Sequence, residues 1–223
     1  MKIELSGIQK AYRRKVVLES VSLTAKEGSC VGILGGNGCG KSTLLSILAG
    51  VQKADGGSFL CDGEDLLQNT ERRNSLLGYV PQGNPLIEEL NAWDNLRMWY
   101  DRRTLKRELD QGVLAMLGID SFLKVPVHKM SGGMKKRLSI GCAVAAKPKI
   151  LLLDEPSAAL DLVCKEKIYN YFSIYRNEGG ILLLATHDLQ ELTLCDQCYI
   201  LKNGKLTPYE YDGDIHRLAG SLS

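Results

Sequence analysis

One glycine-rich stretch has the residue types and the spacing to hold a phosphate group. Residues 35–42 read Gly-Gly-Asn-Gly-Cys-Gly-Lys-Ser and fit the pattern G-x-x-x-x-G-K-[ST]. The stretch follows an apolar run at 30–34 that predicts a strand, and it opens a run at 41–49 that predicts a helix. Glycines let the backbone curl so that N–H groups point inward, and the helix start adds partial positive charge. We expect nucleotide phosphates here, with Lys41 reaching the β- and γ-phosphates and Ser42 binding Mg²⁺. A glycine-rich turn that matches by chance is the alternative.

Two carboxylates follow a second buried strand. Residues 150–153 are Ile-Leu-Leu-Leu, and Asp154 and Glu155 come directly after them. At the C-terminal edge of a parallel sheet, Asp154 would face the phosphate-bound Mg²⁺, and Glu155 could polarise a water molecule for in-line attack. Two acids after a strand also suit a plain helix N-terminus, so these residues alone leave both interpretations open.

Strands that alternate with helices predict the framework for these residues. Strands are predicted at residues 2–5, 21–24, 30–34, 58–61, 76–80, 150–153, 181–185 and 199–201, and core helices at 41–49, 133–146, 162–176 and briefly after 187. This alternation indicates an α/β fold with a mainly parallel sheet and right-handed crossovers.

The pattern changes between residues 85 and 130. Runs at 91–103 and 104–117 have helical periodicity and little strand signal, and Gly118 is a good helix stop. We therefore expect a helical subdomain at 85–130, inserted in a single domain of residues 1–223. Its apolar residues Trp93, Leu96, Trp99 and Tyr100 suit either the core of the subdomain or a surface for a partner, and the sequence does not favour one over the other.

Composition excludes several classes of protein. The 223 residues are 44% hydrophobic and 24% charged, which suits one large domain with a buried core. With 28 basic and 26 acidic side chains, neither nucleic acid nor an anionic membrane is expected as the main partner. No apolar run approaches the ~18–20 residues that cross a bilayer. Because no such run is present, we expect the chain to act at a membrane only through a partner. Seven scattered cysteines, an odd number, favour a reduced cytoplasmic setting.

Further motifs make the sequence resemble the ATP-binding subunit of ABC transporters. Gln82 follows the strand predicted at 76–80, Ser131-Gly132-Gly133 opens a helix, Ser-Ala-Ala-Leu-Asp at 157–161 follows the acidic pair, and His187 follows the strand predicted at 181–185. The Ser-Gly-Gly signature carries the specificity, because other P-loop families lack it. The resemblance runs from Tyr12 to Gly204.

The resemblance implies a P-loop NTPase fold: a mainly parallel sheet, an N-terminal antiparallel β subdomain and the inserted helical subdomain. It also implies two head-to-tail subunits around two ATP molecules with Mg²⁺. The implied ATP-binding residues are Tyr12, Gly35, Gly36, Asn37, Gly38, Cys39, Gly40, Lys41, Ser42 and Thr43, with Ser131, Gly132, Gly133 and Asp161 acting in trans on the other subunit's ATP. The implied catalytic residues are Glu155, His187, Gln82 and Lys41, and the implied Mg²⁺ ligands are Ser42, Gln82 and Asp154.

The sequence departs from the family pattern at a few positions. Gly36 and Cys39 stand where Pro and Ala are common, and Met130 and Met134 flank the signature where Leu and Gln are commoner. The first two contribute mainly backbone, and the Ser-Gly-Gly anion site remains, so we expect an active ATPase. The following Lys135-Lys136-Arg137 most simply forms a solvated face.

The resemblance also implies a partner and a place in the cell. The run from Ser131 to Arg137 resembles ATPase subunits of bacterial exporters whose membrane protein is a separate chain. We therefore expect a homodimer or heterodimer that powers transport, with export favoured, through integral membrane subunits at the inner face of the cell membrane. The alternatives are an importer ATPase, an ABC-type ATPase without a transport role such as iron–sulfur cluster assembly, and a P-loop kinase. A kinase would leave Ser131-Gly132-Gly133 and His187 without roles.

Overall fold

Ten strands of the described residues, 1–158 and 160–222 of this computed structural model, form one mixed sheet. They are β1 (Lys2–Tyr12), β2 (Lys15–Lys26), β3 (Cys30–Leu34), β4 (Gly56–Cys61), β5 (Glu64–Asp65), β6 (Leu77–Val80), β7 (Ile150–Asp154), β8 (Ile181–Ala185), β9 (Gln197–Lys202) and β10 (Lys205–Tyr209). Their spatial order is β5-β4-β1-β2-β10-β9-β3-β8-β7-β6. Ala159, which is part of the predicted 157–161 motif, lies outside the described residues.

The half of the sheet from β9 to β6 is parallel, as the alternation of strands and helices predicts. β3 pairs in parallel with β9 and β8, β7 with β8, and β6 with β7. Every residue of β3, β7 and β8 is buried, which fits continuous apolar runs covered on both faces of a parallel sheet. The predicted α/β fold class is thereby confirmed.

The other half of the sheet is antiparallel. β2 pairs with β1, β1 with β4, and β4 with β5, all antiparallel. The short strands predicted at 2–5 and 21–24 are parts of the much longer β1 and β2, which continue because their residues alternate between buried and exposed. The two halves meet where β2 pairs with β10, at Ser20 and Lys205.

Nine α-helices of the described residues flank or extend the sheet. They are α1 (Lys41–Leu48), α2 (Thr70–Leu76), α3 (Ala92–Arg97), α4 (Arg102–Gln111), α5 (Val113–Met116), α6 (Gly132–Ala143), α7 (Leu162–Asn177), α8 (Leu189–Leu192) and α9 (Ile215–Leu222). α3, α4 and α5 lie between β6 and α6 in the chain, together with two short 3₁₀ turns. None of the helices in the described residues is long and apolar enough to span a bilayer.

The two helices predicted in the inserted region are wrong in their extent. The run at 91–103 is divided between α3 and α4, because the Asp101 carboxylate accepts a hydrogen bond from the Thr104 N–H at 3.0 Å and so begins a new helix. The run at 104–117 is divided between α4 and α5 at Gly112, whose backbone is extended. Periodicity continues through both breaks, so it does not reveal them.

Apolar side chains cover the sheet on both faces. On one face α1 packs with β3, β7 and the antiparallel strands, and its Leu44, Leu45 and Leu48 are fully buried. On the other face α6 and α7 pack with the helices of the inserted region, where Leu96 and Tyr100 are buried. Trp99, in contrast, is 63% exposed. The four apolar residues of the inserted region are therefore divided between core and surface.

Candidate functional site

The carboxyl ends of four parallel strands bring the predicted site residues together. β3 leads into the P-loop, β6 leads to Gln82, β7 ends at Asp154 with Glu155 directly after it, and β8 leads to His187. The register aligns these ends, since Ala185 of β8 pairs with Asp154 on one side and with Ile33 of β3 on the other. Ligands of open α/β sheets bind at this edge.

The P-loop has the backbone that its glycines allow. Gly38 and Gly40 have φ angles of 76° and 114°, which side chains other than glycine rarely adopt. A Cβ on Gly40 would also lie 2.9 Å from Val17 Cγ1, so glycine is required there on two counts. Lys41 is buried, and its Nζ donates to the Gly35 carbonyl at 2.6 Å, which holds the ammonium across the loop. N–H groups at the start of α1 and this ammonium can together bind phosphate.

Asp154 is suited to an Mg²⁺ ion beside Ser42. Its carboxylate is 1% exposed, and Oδ1 has no hydrogen-bond partner among the described residues. Burial raises the pKa of Asp154, and the Glu155 charge raises it further, while the Ser42 hydroxyl and the Lys41 charge act in the opposite direction. A buried oxygen without a partner next to a hydroxyl fits a cation that carries most of its ligands as water and phosphate.

Glu155 is held from two sides. Gln82 Nε2 donates to Glu155 Oε2 at 2.9 Å, and His187 Nδ1 lies 3.2 Å from Oε1. The backbone of Glu155 has a φ angle of 47°, unusual for a residue with a side chain, and its N–H donates to the Ala185 carbonyl at 2.8 Å. Strained backbone of this kind costs free energy and is found at sites where a side chain must be aimed. The carboxylate is thus fixed in a position from which it can accept a proton from a water molecule.

A cavity of about 470 Å³ adjoins this carboxylate. Glu155 and His187 line it, together with Ser157, Thr186 and Glu191. Glu191 is 1% exposed, and neither of its carboxylate oxygens has a hydrogen-bond partner in the described part of the chain. The sequence analysis missed this buried acid, because a single glutamate in a short amphipathic helix gives no signal.

Tyr12 lies at the end of β1, and its ring is partly exposed. Its hydroxyl donates to the Gln52 side-chain carbonyl, and Lys10 Nζ lies 5.5 Å from the centre of its ring. The other strand of the hairpin is the one next to the P-loop, where Lys15 and Val16 help to line a cavity of about 300 Å³. The structure therefore places the hairpin beside the P-loop, but no hydrogen bond among the described residues joins Tyr12 itself to that loop.

Ser131, Gly132, Gly133 and Asp161 form a second group, at two adjacent helix starts. Ser131 Oγ accepts from the Met134 N–H at 3.2 Å and caps α6, and the Asp161 carboxylate accepts from the Cys164 N–H at 2.8 Å and caps α7. A Cβ on Gly133 would lie 2.7 Å from Cys164 Sγ, so the two starts pack closely only with glycine there. The Cys164 N–H lowers the pKa of Asp161. No hydrogen bond or ion pair among the described residues joins this group to the P-loop.

The interpretation of Lys135-Lys136-Arg137 as a solvated face is wrong for two of the three residues. Lys135 is partly exposed, but Lys136 and Arg137 are 4% and 9% exposed. Arg137 Nη1 donates to the Leu117 carbonyl at 2.7 Å, and Lys136 Nζ donates to the Pro81 and Gln82 carbonyls at 3.2 and 3.3 Å. Consecutive helical residues point in different directions, so a run of like charges does not share one face.

Comparison with known proteins identifies the group to which this site belongs. The family model described as "ABC transporter" matches residues 18–158. The chain is 34% identical over 210 residues to the Nod factor export ATP-binding protein I of Sinorhizobium fredii (strain NBRC 101917 / NGR234), covering 91% of this chain and 61% of that protein. It is 34% identical over 223 residues to the spermidine/putrescine import ATP-binding protein PotA of Mesoplasma florum (96% of this chain, 63% of that protein). It is also 31% identical over 226 residues to the linearmycin resistance ATP-binding protein LnrL of Bacillus subtilis (98% and 72%). The chain therefore spans about three-fifths of the length of the first two relatives.

Solved structures agree with the family match. An ATP-binding subunit of an ABC transporter superposes with a TM-score of 0.83 at 27% identity, covering 100% of this chain and 94% of that one. A dimeric post-hydrolysis state of the ATP-binding cassette MJ0796 bound to ADP and Pi superposes with a TM-score of 0.84 at 28% identity, covering 95% and 100%. The second structure is a dimer by its own description.

Proposed function

Because the chain belongs to the ABC transporter family, we propose that it binds ATP with Mg²⁺, pairs head to tail with a second ATP-binding subunit, and hydrolyses ATP to power transport. The observation that carries this proposal is the position of Glu155, held between Gln82 and His187 at the same sheet edge as the P-loop. A kinase would have no use for that arrangement or for the Ser131-Gly132-Gly133 helix start.

In the proposed reaction the chain binds the phosphates, positions the catalytic carboxylate and takes up a proton from the attacking water. The P-loop N–H groups and Lys41 hold the phosphates, while Ser42, Asp154 and the Gln82 side chain are the candidate ligands of Mg²⁺. When bound, the ion neutralises charge that develops on the phosphate oxygens. Glu155 accepts the proton of the attacking water. Gln82 and His187 keep its carboxylate aimed, which contributes by positioning.

The separation of the two groups of residues supports a shared site. Ser131, Gly132 and Asp161 are exposed at the starts of α6 and α7, and no hydrogen bond or ion pair of the described residues joins these starts to the P-loop of the same chain. A hydroxyl and two unobstructed N–H groups at a helix start form an anion site. We propose that this anion site receives the γ-phosphate bound by the P-loop of the other subunit, so that neither chain is complete alone. Mixing two inactive variants of this chain tests whether the second subunit is a copy of it.

An exposed apolar patch supports a membrane partner. Met98 and Trp99 are 51% and 63% exposed, and Ile87 on the preceding loop is 44% exposed. Such residues are enriched where proteins meet. We propose that this patch contacts an integral membrane subunit and holds the chain at the inner face of the membrane. The names of the relatives include both export and import, and the resemblance of the Ser131–Arg137 run to exporter subunits favours export.

ATP turnover by the purified chain tests the enzymatic part of the proposal. We expect Mg²⁺-dependent phosphate release that rises more than linearly with chain concentration, because two chains form each site. Turnover that is strictly linear in concentration far below saturation of dimer formation would contradict the shared site. The Met98–Trp99 patch is tested separately, by co-purification with the membrane fraction.

A further inference from the structure

Lys136 is a buried cation that the proposed reaction does not use. It lies in the second turn of α6, and its side chain is almost completely removed from solvent, at 4% exposure. Its neighbour Lys135 is partly exposed and forms an ion pair with Glu88, itself exposed, at 3.2 Å. Two adjacent lysines thus have opposite environments on the same helix.

The partners of Lys136 are main-chain carbonyls of the segment that carries Gln82. Nζ donates to the Pro81 carbonyl at 3.2 Å and to the Gln82 carbonyl at 3.3 Å. No carboxylate of the described residues lies within ion-pair distance of this ammonium. Burial lowers the pKa of Lys136, although the charges of Asp154 and Glu155 act in the opposite direction. A buried ammonium without a paired carboxylate is costly, and its site must supply hydrogen bonds that hold it.

These contacts complete a continuous link between the two halves of the proposed site. The helix start at Ser131 belongs to α6, and Lys136 follows one turn later. Lys136 holds the main chain of Gln82, and the Gln82 side chain donates to Glu155 at 2.9 Å. A change in the position of α6 would therefore move Gln82 relative to Glu155.

We propose that Lys136 is a positioning residue: it ties the start of α6, which would receive the other subunit's nucleotide, to Gln82 and through Gln82 to Glu155. This inference rests on the proposed ATPase function and adds a coupling element to it. Binding of nucleotide at the helix start would set the Gln82–Glu155 contact in the same chain. The ammonium acts on main-chain atoms and does not touch the reacting groups.

Three single substitutions separate this role from simple packing. Lys136→Met removes both hydrogen bonds while keeping the length of the side chain, and we expect kcat to fall about 10–100-fold with KM and nucleotide affinity within about twofold. Lys136→Gln keeps a donor for the carbonyls and should recover most of the lost kcat. Lys135→Met is the matched control and should turn over like the unsubstituted chain. Circular dichroism and Tm report whether each variant folds.

A double substitution tests whether Lys136 acts through Gln82. In a Gln82→Ala chain, Lys136→Met should reduce kcat by less than about threefold, because the side chain it positions is already gone. Full additivity of the two effects overturns the proposal, as does a Lys136→Met chain with normal kcat. If Lys136→Met fails to fold, Lys136→Gln and Lys136→Arg are each combined with Gln82→Ala instead. Effects on kcat that add fully to the effect of Gln82→Ala then overturn the proposal in the same way. An unsubstituted chain that never hydrolyses ATP would instead overturn the proposed function together with this inference.

Discussion

At the scale of single residues, Glu155, Gln82 and His187 have different roles in the proposed site. The strained backbone at Glu155 and the donor from Gln82 fix the carboxylate, while His187 reaches it from an exposed position. The side chain of His187 is 56% exposed and that of Glu155 only 11%. His187 can therefore be removed without opening a cavity in the core.

His187→Ala should lower kcat by about 100-fold or more, because Glu155 and the attacking water lose one of their supports. ATP affinity should stay close to that of the unsubstituted chain, since the phosphates are held by the P-loop. Steady-state turnover and equilibrium binding of a fluorescent nucleotide measure the two effects. Equal loss of affinity and turnover would show that His187 acts in binding.

Glu191 offers a prediction about stability and pH. Burial raises the pKa of its carboxyl, while the Ser157 and Thr186 hydroxyls nearby act in the opposite direction. The folded chain therefore holds this proton to a higher pH than the unfolded chain, whose carboxyl titrates near its ordinary value of 4.5. As the pH rises above that value, the unfolded chain loses the proton before the folded chain does, so rising pH favours the unfolded state.

Glu191→Gln should therefore raise Tm at pH 8, because the amide cannot ionise and carries no cost of burying a charge. The difference in Tm from the unsubstituted chain should shrink as the pH falls toward the ordinary carboxyl value of 4.5, because the unfolded chain then also takes up the proton. Differential scanning calorimetry of both chains across this range measures it. A difference that is constant with pH, or that grows as the pH falls, would contradict the assignment.

At the scale of secondary-structure elements, the inserted region has one buried and one exposed side. Leu96 and Tyr100 pack against α6, and the Tyr100 hydroxyl donates to the Gly141 carbonyl at 2.7 Å. Met98 and Trp99 lie between them in sequence and face outward. The five-residue segment 96–100 therefore packs against the core with Leu96 and Tyr100 and presents Met98 and Trp99 at the surface.

Leu96→Ala and Trp99→Ser should have opposite consequences. Loss of the fully buried Leu96 side chain should cost about 2–5 kcal/mol of the free energy of unfolding, because a cavity remains. Trp99→Ser should change it by less than about 0.5 kcal/mol, yet reduce recovery of the chain with its membrane partner. Chemical denaturation and co-purification measure the two effects, and a strongly destabilised Trp99→Ser chain would place Trp99 in the core.

The sequence predicts elements best where local pattern and tertiary position coincide. The strand at 30–34, the P-loop and the strand before Asp154 are recognisable because each is a short apolar run followed by residues with a chemical task. The break at Asp101 and the burial of Lys136 are not, because each depends on a contact with distant or capping atoms that periodicity does not encode. The long β1 and β2 are underestimated because half of their residues face solvent.

At the scale of the whole molecule, the residues of the proposed ATP site lie in two groups. The sheet edge gathers the P-loop, Asp154, Glu155, Gln82 and His187, whereas Ser131 to Gly133 and Asp161 lie at other helix starts. The order of the motifs along the chain does not reveal this separation, because the two groups alternate; the family resemblance implies it. The fold supports the implied head-to-tail dimer, since the two groups lie at different helix starts.

Complementation between inactive chains would follow from that division. Ser131→Arg blocks the anion site of one chain, and Lys41→Ala disables its P-loop. Neither variant alone should hydrolyse ATP. Mixed in equal amounts, they form some dimers in which one site has an intact P-loop and an intact opposing helix start, so part of the activity should return if the chain pairs with itself. A mixture as inactive as its components would indicate a heterodimer or a site without shared residues.

The most direct test of the shared ATP site is the mass of the Glu155→Gln chain with and without ATP. Without its proton acceptor this chain should bind ATP, fail to hydrolyse it, and remain closed around the nucleotide. Light scattering after size-exclusion chromatography should then show twice the mass of one 24.6 kDa chain with Mg²⁺-ATP, a single chain without it, and a single chain when Ser131→Arg is added. A Glu155→Gln chain that turns over ATP normally, or one that stays a monomer with saturating ATP, would contradict the account.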